Sequence, residues 1–200
     1  MRVPEFPEAN HPLLDSLKTQ GDLELLRQFQ DYPDQGRFFA AIFYRYYPLV
    51  YGLILQNLVT PEVTNYLLAL VWRQFFYEMR GLVFEDLPLD SLQDWLIYHT
   101  GAFLREVSVP EMITYDLETT PPPLWCYVEQ GLEHLHPLSR FIVVMSEKFN
   151  WNQTRIIAYL QAEGQTVSLE EVNHYLEQGY TDLQASLPAD IRAIYLESYG

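Results

Sequence analysis

The chain has 200 residues and is strongly acidic, with 12 Lys and Arg side chains against 27 Asp and Glu and a formal net charge of −15. A field of this sign repels phosphate at long range and therefore disfavours non-specific binding to nucleic acid. Hydrophobic residues make up 48% of the chain and charged residues only 20%, which excludes disorder for most of it and predicts a core rich in aromatic residues. The single cysteine, Cys126, excludes an internal disulfide framework and a zinc site built on a cysteine cluster.

The N-terminal residues lack the charged head and apolar core of a signal peptide, and we expect a cytoplasmic protein. The most apolar run, residues 38–55, is interrupted by Arg45 and Pro48 and is shorter than the roughly 20 residues that span a bilayer. We therefore interpret this run as a core helix and expect no membrane contact.

Apolar residues recur at intervals of three and four along the whole chain, glycines are few and alternating β-branched runs are rare, which predicts an all-α protein. In chain order we expect helices over residues 12–30 (one or two short ones), 37–58, 61–80, 87–107, 125–135, 137–149, 153–163 and 168–186. In the first of these regions, six residues are expected to point inward: Leu13, Leu14, Leu17, Leu23, Leu26 and Phe29.

Several side chains mark where helices start and stop. The expected starts are Thr60 followed by Pro61, Asp90 or Ser91, Asn152, and a capping box formed by Ser168 and Glu171. Gly164 is expected to end the preceding helix in a left-handed conformation. A helix, a short turn and a capped helix in this order are typical of a helix-turn-helix.

Residues 108–123 contain four prolines, three acidic residues and no helical period, which predicts a linker. The predicted organisation is a helical N-terminal extension (1–37), a helical module (38–107), the linker, a second module with the helix-turn-helix (124–187) and a C-terminal tail (188–200). We expect the extension to pack on the first module as a lid.

Two sets of motifs follow one another in these modules. The first module contains Phe39-x-x-Ile42-Phe43-x-x-Tyr46-Tyr47-Pro48-x-Val50-Tyr51, then Thr60-Pro61, then Leu67-Leu68-x-x-Val71-Trp72, then Ser91-Leu92-x-x-Trp95-Leu96. The second contains Leu135-x-Pro137-Leu138-x-Arg140, then Ile157, Ala158 and Leu160, then Val167-Ser168-x-x-Glu171-Val172-x-x-x-Leu176. In order and spacing these motifs resemble the two helical domains of extracytoplasmic-function sigma factors, the small initiation subunits of bacterial RNA polymerase.

The resemblance implies a protein of transcription initiation or its regulation that associates with the RNA polymerase core, contacts promoter DNA only within that complex, and can meet an antagonist or regulator protein. It implies a polymerase-binding or partner-binding face on the helix after Pro61, with the candidates Asn65, Tyr66, Ala69, Leu70 and Arg73. It also implies a recognition helix of sigma-factor type, with the candidate DNA-binding residues Ser168, Asn173, His174, Tyr175 and Gln178.

The side chains at the binding positions depart from the family. The family contacts the polymerase clamp with acidic and glutamine side chains, and Asn65, Tyr66, Ala69 and Leu70 stand in their places here. The family holds the melted DNA strand with Arg and Asn side chains, and the corresponding residues here are Tyr98, Gly101 and Ala102. The recognition helix has no Lys or Arg, the side chains that most often hold phosphate. We therefore expect weak unaided DNA binding, and the alternative is a degenerate sigma-shaped decoy or adaptor that binds a protein and not DNA.

No hydrolase, kinase, dinucleotide or zinc motif is found in the sequence, so we expect no enzymatic activity and no cofactor. His134 and His136 are two residues apart, but a lone pair of histidines with Pro137 beside it is a weak signal, and we expect no metal site. Cys126 is expected to be a small buried hydrophobic residue. The aromatic residues of 44–51 and 72–77 are expected to form core together with a partner-facing patch.

Overall fold

The computed structural model describes residues 3–57, 60–83, 91–109 and 115–197, and within these ranges the chain is all-α, as predicted, without a β-strand. The helices are α1 (Pro12–Asp15), α2 (Asp22–Asp31), α3 (Arg37–Leu55), α4 (Pro61–Glu78), α5 (Leu92–Glu106), α6 (Pro122–His134), α7 (Pro137–Glu147), α8 (Gln153–Ala162), α9 (Leu169–Ser186) and α10 (Ala189–Tyr195), with 3₁₀ turns at Pro7–Asn10 and Met79–Gly81.

The predicted helix starts at Thr60, Ser91 and Asn152 are confirmed. The side-chain oxygen of each accepts the backbone N–H three residues later, which satisfies a donor that the first turn of a helix leaves open. Pro61 is the first residue of α4, where its missing N–H costs nothing. The alternative cap Asp90 and the residues just before it lie outside the described residues.

The first of two compact units comprises residues 1–127 and 188–200. Its central helix is α3, which packs against α2, α4 and α5. Large aromatic side chains fill the core around it and are almost completely buried: Phe29, Phe39, Phe43, Trp72, Phe75, Phe76 and Trp95. Among the described residues, α3 is also the one helix long and apolar enough to cross a membrane, and nine of its residues are buried in this core.

The C-terminal segment belongs to this first unit. The predicted organisation has a tail there, whereas the structure has α10, which buries Ile191, Ile194 and Tyr195. The Asp190 carboxylate of α10 accepts the backbone N–H groups of Gly36 and Arg37 at 3.0 Å each, at the start of α3. With only seven residues, α10 is too short to show a clear helical period in the sequence.

The predicted linker also has structure in the first unit. Its described part, residues 108–109 and 115–123, contains a turn in which the Thr120 N–H donates to the Asp116 carbonyl at 3.1 Å, and it buries Leu117. The helix α6 already begins at Pro122, three residues before the expected start. Residues 110–114 of the predicted linker lie outside the described residues.

The N-terminal extension packs on α3. The Phe6 ring is buried with its edge or face against the rings of Phe43, Tyr44 and Tyr47, at centroid distances of 5.0 to 5.8 Å. Arg45 pairs with Asp22 at 2.5 Å and donates to the backbone carbonyls of Leu17, Lys18 and Gln20.

The buried face predicted for residues 12–30 needs one correction. Leu23, which was expected to point inward, exposes 49% of its surface, and Leu25, two residues later, is buried in its place.

The second unit comprises residues 128–187 and contains α7, α8 and α9. The helix α9 packs against α7 and α8. The buried core is small and aliphatic, consisting of Ile142, Ile156, Leu160, Val167 and Val172. Gly179 lets α9 approach α7 closely, because a Cβ at this position would lie 2.7 Å from a Val143 methyl group.

Candidate functional site

The connection from α8 to α9 forms as the sequence predicts. Gly164 follows the end of α8 with a φ of +79°, the left-handed conformation that glycine adopts without steric cost. Ser168 and Glu171 form the capping box at the start of α9: the Ser168 hydroxyl accepts the Glu171 N–H at 3.2 Å, and the Glu171 carboxylate accepts the Ser168 N–H at 2.8 Å. The hydrogen bond from the Ser168 backbone, followed by that from its hydroxyl, lowers the pKa of Glu171.

Most of the candidate DNA-binding residues make contacts within the second unit. Ser168 is occupied in the capping box, and Asn173 is half-buried, where its side-chain oxygen accepts a hydrogen bond from the Gln153 amide. The Tyr175 ring is half-buried and packs against the core. Gln178 is exposed, but its amide donates to the Asp182 carboxylate at 2.7 Å.

One face of α9 remains open around His174. A shallow depression runs along it, lined by Leu169, Glu170, Asn173, His174 and Glu177. Four exposed carboxylates lie on α9, at Glu170, Glu171, Glu177 and Asp182, and the helix contains no Lys or Arg. An exposed acidic face of this kind repels the phosphates of DNA.

Tyr180 links the far half of α9 to the end of α7. Its hydroxyl donates a short hydrogen bond to the Glu147 carboxylate. Burial, followed by this hydrogen bond, raises the pKa of Tyr180 to about 12. The contact links α9 to the end of α7 at an exposed position.

The five partner-binding candidates of α4 do not form one open surface. Ala69 is completely buried and belongs to the core, while the other four are half-buried. The Tyr66 ring lies 6.5 Å from the ring of Tyr115, which belongs to the predicted linker. The Arg73 guanidinium lies 5.8 Å from the centroid of the Tyr77 ring.

A groove between α3 and α5 was not expected from the sequence. It is lined by Leu53, Gln56, Asn57, Ile97, Gly101, Leu104 and Arg105. Gly101 is one of the positions where the resemblance places a contact to melted DNA. Tyr98, another of these positions, exposes 59% of its surface.

Within the described residues, no group of three or more His, Cys, Asp and Glu side chains is placed to hold a metal ion. Nδ1 of His134 lies 2.8 Å from the Gln130 carbonyl oxygen. His136 caps α7 by accepting the Leu138 N–H at 3.3 Å. Cys126 is buried, as predicted.

Comparisons with known proteins found no match: no protein-family model fits the sequence, and no curated protein or solved structure is significantly similar to it.

Proposed function

We propose that this chain is a sigma-factor-like protein of transcription initiation or its regulation, which associates with bacterial RNA polymerase in the cytoplasm and binds DNA weakly on its own. One observation carries the proposal, namely where the sequence motifs fall in the fold. The first four lie on α3, at the start of α4, within α4 and at the start of α5, and the later three lie at α7, on α8 and at the start of α9. Promoter DNA is then contacted only as part of the polymerase complex.

The surface charge supports weak unaided DNA binding. The second unit contains eight acidic and three basic side chains, and none of the basic ones lies on α9. Since unaided binding depends on cations that replace counterions at the phosphates, the polymerase has to supply most of the positive field.

A second candidate function is a sigma-shaped decoy or adaptor that binds a protein partner and not DNA. Two observations favour it. The α4 face bears a buried Ala69 and a Tyr66 that lies against Tyr115, so little of it is open to the polymerase clamp. The open face of α9 is acidic, which suits a basic protein surface better than phosphate.

The first experiment is a competition between the purified chain and the principal sigma factor of its host for core RNA polymerase. Mutually exclusive binding is expected if the chain uses the sigma site. An absence of binding would refute the sigma-factor role and leave the adaptor.

A charge reversal on α9 separates the two candidates further. Replacing Glu170, Glu177 and Asp182 with Lys is expected to raise the affinity for promoter DNA and to steepen its salt dependence, by up to about 0.9 in the logarithmic slope for each phosphate that the new lysines neutralise. The matched control places three Lys at the exposed acids Glu24, Asp31 and Asp34 of the first unit, which changes the net charge equally. Equal effects of the two triple variants would show that α9 does not face DNA and would favour the adaptor.

A further inference from the structure

The charges of the second unit are segregated along its helices. Its three basic residues, Arg140, Lys148 and Arg155, all lie between residues 140 and 155, on α7, α8 and the turn that joins them. From residue 163 to residue 182 the unit has five acidic residues and no Lys or Arg. The basic residues of the unit and the acidic residues of its last third therefore fall in different stretches of the chain.

Aromatic rings accompany these cations. The Phe141 and Tyr159 rings stack at 5.3 Å, and the Tyr159 ring meets the edge of Trp151 at 5.6 Å. The Arg155 guanidinium lies 4.2 Å from the centroid of Trp151. At the turn between α7 and α8, the Lys148 ammonium lies 5.9 Å from the ring of Phe149. Phe141, Trp151, Arg155 and Tyr159 are in mutual contact, and Lys148 and Phe149 form a second pair close to Trp151 in the chain; we call these six residues the cation–aromatic patch.

Four of the six patch residues are exposed, while Phe141 and Trp151 are half-buried against the core of the unit. Phe149 exposes 51% of its surface and Tyr159 exposes 42%, and both cations are exposed. Between Phe149 and Trp151, Asn150 has a φ of +51°, a left-handed conformation in which Asn is enriched and other side chains are rare. Phe149, just before Asn150, is exposed, whereas Trp151, just after it, is half-buried and packs against the small core of the unit.

Within the described part of the chain, neither cation of the patch, Lys148 or Arg155, forms an ion pair. Glu147, the one acid among residues 140–159, accepts a hydrogen bond from Tyr180 and keeps its negative charge. Arg155 also lies in the first turn of α8, where the helix dipole disfavours a cation. The contact of Arg155 with the Trp151 ring offsets this cost.

We propose that the cation–aromatic patch docks an acidic segment of a protein partner, in which carboxylates pair with Lys148 and Arg155 and an apolar side chain packs on Phe149 and Tyr159. Trp, Tyr and Arg, the residue types of Trp151, Tyr159 and Arg155, dominate the binding energy of protein interfaces. Unpaired cations at the rim attract a partner of the opposite charge. The docking of this segment does not depend on binding to RNA polymerase.

A protein segment fits the patch better than single-stranded nucleic acid does. Base stacking needs free ring faces, yet Arg155 covers one face of Trp151 and Phe141 covers one face of Tyr159. A nucleic-acid strand also needs a continuous track of cations for its phosphates, whereas the acidic α9 belongs to the same unit.

The test uses the full chain and a short fluorescent peptide in which Asp and Glu alternate with Leu and Phe, with anisotropy as the readout. The peptide is expected to bind, more weakly as salt is added, and R155E is expected to lower its affinity at least about tenfold. R155E gains from the helix dipole but also loses the contact with Trp151, so the melting temperatures of both chains are measured and the affinities are compared at a temperature at which both are folded.

Two matched variants keep the test specific. R27Q removes an exposed arginine of α2 and L169S removes an exposed apolar side chain of α9, and neither is expected to change the affinity. Y159S is expected to weaken binding without altering its salt dependence. The proposal is overturned if a peptide with Gln and Asn in place of the acids binds equally well, if R155E binds as the wild type does, or if oligothymidylate binds in place of the peptide.

Discussion

The two units build their cores by different means. In the first, aromatic rings contributed by distant parts of the chain meet, and Trp72 lies 5.0 to 6.0 Å from the rings of Phe39, Phe43 and Phe75. In the second unit, five aliphatic residues form the core. The capping box of Ser168 and Glu171 sets where α9 begins, and Gly179 sets how closely α9 approaches α7. The first core therefore depends on long-range burial, whereas the second depends more on local signals.

The largest expected effect comes from emptying the aromatic core. W72A removes a completely buried indole and is expected to lower the free energy of unfolding by about 3–5 kcal/mol, through lost burial and the cavity that remains. Denaturant unfolding followed by near-ultraviolet circular dichroism measures this change. In the second unit, I156V removes one buried methyl group and is expected to cost about 0.5–1.5 kcal/mol. A W72A cost as small as that of I156V would mean that Trp72 is not tightly packed in the aromatic core.

The next effect tests the long-range hydrogen bonds of the first unit. D190A leaves the N–H groups of Gly36 and Arg37 without their carboxylate acceptor and is expected to cost about 1–3 kcal/mol. Faster hydrogen exchange of the Gly36 and Arg37 amides would show that the lost stability lies at the start of α3. D34A removes an exposed acid two residues before Gly36 and is expected to change stability by less than about 0.5 kcal/mol. If D190A behaves like D34A, α10 contributes little to the start of α3.

The sequence predicted the elements of the second unit better than those of the first, because its signals are local. Asn152, Gly164 and the capping box of Ser168 and Glu171 act on backbone groups within a few residues, and all are found where expected. The helix α10 and the burial of Leu25 in place of Leu23 depend on neighbours far away in the chain. A single sequence does not show which residues far apart in the chain become neighbours in the fold.

The candidate site was predicted less well than the fold, for a related reason. Periodicity placed Asn173 and Tyr175 on the right helix, but which face of α9 is buried depends on α7 and α8, and both side chains are half-buried. On α4, Ala69 faces the core. The cation–aromatic patch combines residues of two helices and a turn, so no single periodic segment reveals it, although the clustering of all the basic residues of the second unit between 140 and 155 is a visible signal.

A smaller effect contrasts glycines in the two units. In the second unit, G179A places a Cβ 2.7 Å from a Val143 methyl group, and the clash is expected to cost about 1–2 kcal/mol net of the gain in helix propensity. In the first unit, G52A meets nothing within 4 Å on α3 and is expected to stabilise by about 0.5–1 kcal/mol. Thermal melts are expected to show a lower melting temperature for G179A and a higher one for G52A. A stabilising G179A would mean that α9 and α7 are not in close contact.

The smallest effect concerns the capping box of the second unit and its pH dependence. The pKa of Glu171 is lowered in the folded chain, so its carboxylate stabilises the fold above its ordinary pKa of 4.5, and this contribution is lost as the pH falls through the lowered value. E171Q is therefore expected to speed amide exchange in the first turn of α9 at neutral pH and to differ little from the wild type once the pH lies below that value. E170Q removes a charge from the same helix turn without touching the capping box, and it is expected to leave both the rates and their pH dependence almost unchanged. If E170Q reproduces the effect of E171Q, the helix dipole and not the capping hydrogen bond is the cause, because only the dipole acts on both carboxylates alike.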